Sequence, residues 1–231
     1  MSIRSILLKK SLAEAVGTFA LVFAGCGSIM VAERFPGTLS HSAISVIFGL
    51  AVAVMIYAVG HISGAHFNPA VTLAFAAARH FPFEQVLAYW ISQLVGAIVA
   101  MTTLIMILPP GKSYGATVPA VPFWQALSWE MILTFFLMFV IVAVATDTKA
   151  EGTMAGAAIG ATVMLAAWVG GPVTGASMNP ARSLAPAIFE GRLDVMWIYL
   201  VGPCIGAVLA ALFYEAIRMA PTNGKNKGSR P

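Results

Sequence analysis

Polar and apolar positions in this chain come in blocks. Six apolar stretches, at about 11–32, 40–60, 84–108, 123–146, 153–170 and 194–217, carry almost no charge. A helix needs about 20 apolar residues to cross a bilayer, and the fifth stretch is marginal in length but uninterrupted by charge. Backbone groups in hydrocarbon must bond within their own segment, so the six predict transmembrane α-helices. Strict period-two alternation is absent, which argues against a β-barrel. Two shorter apolar pieces remain, 68–78 (NPAVTLAFAAA) and 179–188 (NPARSLAPAI). At about 15 Å each, they are half a hydrocarbon core long.

Both short pieces open with Asn then Pro, a favoured N-cap followed by a residue suited to the first helical turn. Both are entered through a loop containing Gly. Half-helices of this kind predict re-entrant segments, which are tolerated at membrane depth only when buried in protein or lining a wet cavity. The expected fold class is therefore an all-α membrane protein with six transmembrane helices and two half-helices.

Composition agrees. Of 231 residues, 59% are hydrophobic and 10% charged, with a mean hydropathy of +0.88. A soluble domain is about 25% charged, so a bilayer is the expected partner. The N-terminal stretch is too long for a signal-peptide core, holds Glu14 and closes on no small-residue cleavage site. It is expected to be the first span, retained in the mature protein. The net charge of +4 forms no basic helical stripe, so no nucleic-acid partner is expected. With six spans both termini share a face. That face carries nine cations (Arg4, Lys9, Lys10, Arg79, Lys149, Arg218, Lys225, Lys227, Arg230) against three opposite (Arg34, Lys112, Arg192). Positive-inside bias places both termini in the cytoplasm of the plasma (inner) membrane. Residues 219–231 predict a disordered cytoplasmic tail. Cys26 and Cys204 lie inside apolar runs, with neither a disulfide framework nor metal-ligand spacing. No metal and no cofactor is expected.

The chain repeats itself. SGAHFNPAV (63–71) recurs as TGASMNPAR (174–182), at an offset of 111. AEAVGTFALVF (13–23) pairs with WEMILTFFLMF (129–139), matching Glu14 to Glu130. YWISQLVGAIVA (89–100) pairs with YLVGPCIGAVLA (199–210). The chain is thus one domain, 1–231, of two repeats, about 11–108 and 123–217. Each repeat holds three spans, an odd number, so the second is inverted relative to the first. The half-helices then enter from opposite faces, and their N-termini meet near the bilayer midplane.

A helix N-terminus carries about +0.5 of an elementary charge and free N–H groups. If Asn68 and Asn179 cap their helices through their carbonyl oxygens, both NH₂ groups are left to donate to one central oxygen. A water wire would lose its continuous orientation there, and cations would be repelled. The plainer alternative is that Asn-Pro is capping chemistry only; two symmetric copies weigh against it.

The boxes Asn68-Pro69-Ala70 and Asn179-Pro180-Ala181, in SGAHFNPAVT and TGASMNPARS, resemble those of the aquaporin (major intrinsic protein) family. The resemblance runs from about 11 to 217. GPVTGASMNPARSLAPA is most similar to the nodulin-26-like branch. It implies six tilted helices, two half-helices and a homotetramer with one pore per subunit. It implies a passive channel for water and small neutral solutes that excludes protons and ions, and no enzyme activity. Arg182 matches the arginine of the family's outer constriction; snorkelling to the interface is the other use of an arginine here. By offset from the boxes, Phe48, Ala167 and Ala176 complete that filter. Water-selective members generally carry His at the position of Ala167. Two alanines imply a wider, more apolar mouth, suited to glycerol or metalloid acids. Ser183 points the other way, since glycerol facilitators commonly carry Asp there, and strict water selectivity stays open. A one-residue slip would put Trp168 in the filter.

Glu14 and Glu130 admit two roles: proton coupling in a secondary transporter, or accepting hydrogen bonds from the re-entrant loops, as the resemblance implies. His66 either lines the pore or packs behind it, and His61 either lines the pore or only braces the loop. Small residues at four-residue spacing (Gly156/Gly160, Gly202/Gly206, Gly96/Ala100) predict close helix crossings. No Ser/His arrangement supports a hydrolase.

Overall fold

The computed structural model describes residues 2–146 and 152–218. Eight α-helices run in the order α1 (Ile3–Arg34), α2 (His41–Ser63), α3 (Pro69–Ala77), α4 (Val86–Ile107), α5 (Phe123–Thr146), α6 (Ala155–Thr174), α7 (Pro180–Glu190) and α8 (Met196–Ile217). Six are long and apolar enough to cross a membrane, and α3 and α7 are the half-helices. The described residues contain no strand. Lys149 and the tail expected at 219–231 lie outside the described residues.

Two boundaries differ most from the sequence expectation. Helix α1 begins eight residues earlier, at Ile3, because Ser2 caps it by accepting from the Ser5 N–H. Arg4, Lys9 and Lys10 therefore sit on the helix rather than ahead of it. Helix α6 continues past residue 170 to Thr174, through Pro172. A proline frees the carbonyl four residues before it. Here that carbonyl belongs to Trp168, and the His41 Nε2–H donates to it at 2.8 Å.

The helices pair as the repeat demands. Helix α1 packs on α4 and α5 on α8, while α2 meets α6 across the two halves. Each half-helix also packs on the last helix of the other repeat, α3 on α8 and α7 on α4, which interlocks the halves. Glycines permit the closest crossings. A Cβ on Gly96 would strike the Ala15 carbonyl, and one on Gly206 the Met131 carbonyl. Gly49 and Gly160 stand in the same relation to each other, each facing the other's backbone. Such crossings suit a membrane protein, where association relies on packing rather than on the hydrophobic effect.

Candidate functional site: a cavity around two opposed helix ends

Helices α2 and α6 end in the same way. Gly64 (φ 90°) and Gly175 (φ 83°) stop them in the left-handed region. The loops beyond hold four non-glycine residues there too: Ala65 and Phe67 in one repeat, Ala176 and Met178 in the other. Each such residue costs about 1–2 kcal/mol, so something must hold the loops.

Two buried carboxylates do. Glu14 accepts from the Ser63 hydroxyl (2.7 Å), the N–H groups of His66 (2.9 Å) and Phe67 (2.7 Å), and Gln93 Nε2 (2.8 Å). Glu130 accepts from the Thr174 hydroxyl (2.7 Å) and the N–H groups of Ser177 (2.9 Å) and Met178 (2.8 Å). At about 0.5–1.5 kcal/mol each, the three or four bonds to each carboxyl group together offset strain of this size. Tyr89 and Tyr199 complete the pattern, donating to the last carbonyls of α2 (Ser63) and α6 (Thr174), both at 2.7 Å. Both carboxylates are fully buried and neither lines the cavity, which favours the loop-holding role over proton coupling.

The half-helices begin where the loops end. Asn68 Oδ1 accepts from the Ala70 N–H (2.9 Å), and Asn179 Oδ1 from those of Ala181 (3.0 Å) and Arg182 (3.3 Å). The amide nitrogens are not wholly free, which amends the expectation. Asn68 Nδ2 donates to the Met178 carbonyl (2.7 Å), and Asn179 Nδ2 to the Phe67 carbonyl (2.8 Å). Each Asn thus spends one N–H tying its helix end to the opposite loop and keeps a second.

A cavity of about 480 Å³ runs past this junction, and Asn68 and Asn179 line it. At one end the wall is Phe48, Ala167, Ala176 and Arg182. Arg182 is only 4% exposed, so it does not snorkel. Its Nη1 donates to the Gly115 carbonyl at 2.8 Å, and its guanidinium lies 5.0 Å from the Phe48 ring centre. Ala167 faces the cavity, whereas Trp168 is 47% exposed on the outside. The repeat offset maps these four onto Ile159, Ile56, Ala65 and Val71, which line the other end. The first set thus brings an aromatic ring and a cation to the wall, while its four counterparts are all apolar.

His66 lines the cavity while its ring packs among Phe75, Phe81 and Tyr89. Its Nδ1 meets Thr72 Oγ1 at 3.1 Å. His61 lines the cavity as well. Ser183 lies behind the wall, bonded to Ser177 and to Thr117 (2.7 Å). Cys26 is fully buried and Cys204 partly buried, and neither lines the cavity. Among the described residues no group of three or more His, Cys, Asp or Glu could hold a metal.

Gln93 and Gly115 hold site groups without being among the residues expected there. Gln93 was discoverable as the polar residue inside a membrane span. Gly115 carried no signal, because a loop carbonyl reaches Arg182 only in three dimensions.

The model of the family described as "Major intrinsic protein" matches residues 2–214. Nodulin-26 of Glycine max is 50% identical over 212 residues, covering 91% of this chain and 78% of that protein. Aquaporin NIP1-1 of Oryza sativa subsp. japonica is also 50% identical over 212 residues, covering 91% and 75%. Among solved structures, the X-ray structure of the aquaglyceroporin from Plasmodium falciparum superposes with a TM-score of 0.79 at 26% identity, covering 91% of this chain and 96% of that one.

Proposed function

This chain belongs to the major intrinsic protein family, and from that premise we propose how its cavity selects what passes. It is a multi-pass membrane channel for water and small uncharged solutes, and not an enzyme. The filter is assigned to Phe48, Ala167, Ala176 and Arg182, and its solutes extend from water to glycerol and undissociated metalloid acids such as arsenous acid.

One observation carries the assignment: beside Phe48 and Arg182 the wall holds two alanines, each contributing no more than a methyl group. A solute hydroxyl entering there loses water and gains guanidinium donors, while its carbon backbone meets the Phe48 ring. Further in, the second N–H of Asn68 and of Asn179 and two helix ends of about +0.5 charge each receive an oxygen. The same positive focus repels cations, and the oriented donors interrupt a proton wire.

Both termini are assigned to the cytoplasm of the plasma (inner) membrane, supported by nine cations toward the face of the termini against three toward the other. The chain is one domain of two repeats, and a homotetramer is proposed from the family likeness. Stopped-flow light scattering on proteoliposomes tests the selectivity. Osmotic shrinkage well above empty vesicles is expected, together with uptake of glycerol and arsenous acid. Movement of water alone would overturn the wide-filter assignment in favour of a strictly water-selective pore.

A further inference from the structure

The connector 109–122 folds over the Arg182 end of the cavity and supplies the Gly115 carbonyl that accepts from Arg182. Glu190, the last residue of α7, sits behind that carbonyl. Its Oε1 accepts from the N–H of Tyr114 and, at 3.0 Å, from that of Ala116, with Ser113 Oγ at 3.5 Å.

We propose that Glu190 is the positioning residue of Arg182, acting through the Gly115 peptide; this rests on the filter assignment above. The Ala116 N–H and the Gly115 C=O belong to one planar trans peptide, so they point in opposite directions. Drawing the N–H to Glu190 turns the C=O away from it, onto the guanidinium. The turn itself needs glycine, because Gly115 has φ 80° and a Cβ there would lie 3.3 Å from the Cys26 backbone. Two independent features point the same way. A carboxylate at a helix C-terminus is opposed by the helix dipole, so Glu190 is not there for the sake of α7. By the repeat offset, its counterpart in the first half is Arg79, beyond a half-helix that carries Val71 and has no arginine to hold. The connector does not depend on Glu190 alone: Arg34 donates to the Pro109 and Ser113 carbonyls at 2.6 and 3.0 Å. Losing Glu190 therefore frees the Gly115 peptide while the connector stays attached.

The test compares glycerol with water permeability in proteoliposomes of Glu190→Ala, Glu190→Asp, Glu190→Gln and Arg182→Val. A purely structural loss lowers both permeabilities together and leaves their ratio fixed. Glu190→Ala and Glu190→Asp release the guanidinium into the lumen, so the glycerol-to-water ratio is expected to fall about threefold or more. Glu190→Gln keeps an acceptor oxygen and is expected to stay near the parent. Arg182→Val removes the guanidinium and is expected to raise the ratio. If Arg182→Val shifts the ratio while Glu190→Ala and Glu190→Asp leave it unchanged, the positioning role is overturned and the filter stands. If Arg182→Val leaves the ratio unchanged, the filter assignment fails and the positioning role with it. Asp, a carboxylate one methylene shorter, keeps the question answerable if the alanine variant does not insert.

Discussion

The two repeats are alike where they build the junction and unlike where they build the walls. Glu14 and Glu130, Tyr89 and Tyr199, and Asn68 and Asn179 make corresponding hydrogen bonds. The walls diverge at Ile159 and Phe48, Ile56 and Ala167, and Val71 and Arg182. The supports behind them diverge too. In the first repeat Gln93 bridges Glu14 and Thr72, at 2.8 and 3.0 Å. In the second the matching position is Pro203, and Thr117 from the connector bonds Ser183 instead. Symmetry therefore serves the backbone problem, which each half-helix must solve for itself. Asymmetry falls on the residues of the proposed filter, whose repeat counterparts are all apolar.

The largest effect should come from breaking the shared part. Glu14→Ala or Glu130→Ala leaves three or four buried donors without an acceptor. At about 1–3 kcal/mol per orphaned group, the loops should lose their strained conformation. Water flux should fall to the empty-vesicle level, with a large drop in the melting temperature of the detergent-solubilised protein. Retained flux in either variant would show that the halves do not share this scaffold. Next comes the wall that differs. Ala167→His should cut glycerol flux about tenfold while water flux persists, a barrier change of about 1.4 kcal/mol. Equal loss of both would mean that Ala167 does not discriminate between solutes.

A smaller effect is expected where the halves touch. Gly160→Ala places a methyl against the Gly49 carbonyl. Overpacking of this kind costs about 1–3 kcal/mol, read as a lower melting temperature with the solute ratio unchanged. The smallest belongs to the apolar wall. Ile56→Ala should alter the glycerol-to-water ratio by less than about twofold, since the proposed filter lies at the Arg182 end. A larger shift would give the Val71 end a filtering role of its own.

Much of this was legible in the residues. Apolar blocks revealed the spans because hydrocarbon tolerates little else. Asn-Pro revealed the half-helices because capping is local chemistry. The matched glutamates stood out because an acid in a span needs partners. Less legible were the ends of α1 and α6, which depend on a Ser2 cap and on a His41 side chain 127 residues from the carbonyl it satisfies. The donor state of Asn68 and Asn179 is not legible at all, because the carbonyls of Met178 and Phe67 come near only when the halves interlock.

The order of residues by itself determined the membrane environment, the inverted repeat and the caps that start α3 and α7. These follow from burial, chain length and hydrogen bonds within a few residues. Only the tertiary structure decided that Ala167 and not Trp168 faces the cavity, that Arg182 is held by Gly115, and that Glu190 stands behind that carbonyl. The facing of a helix depends on what packs against it. A carbonyl in a loop acquires a partner only when distant segments are brought within hydrogen-bonding distance.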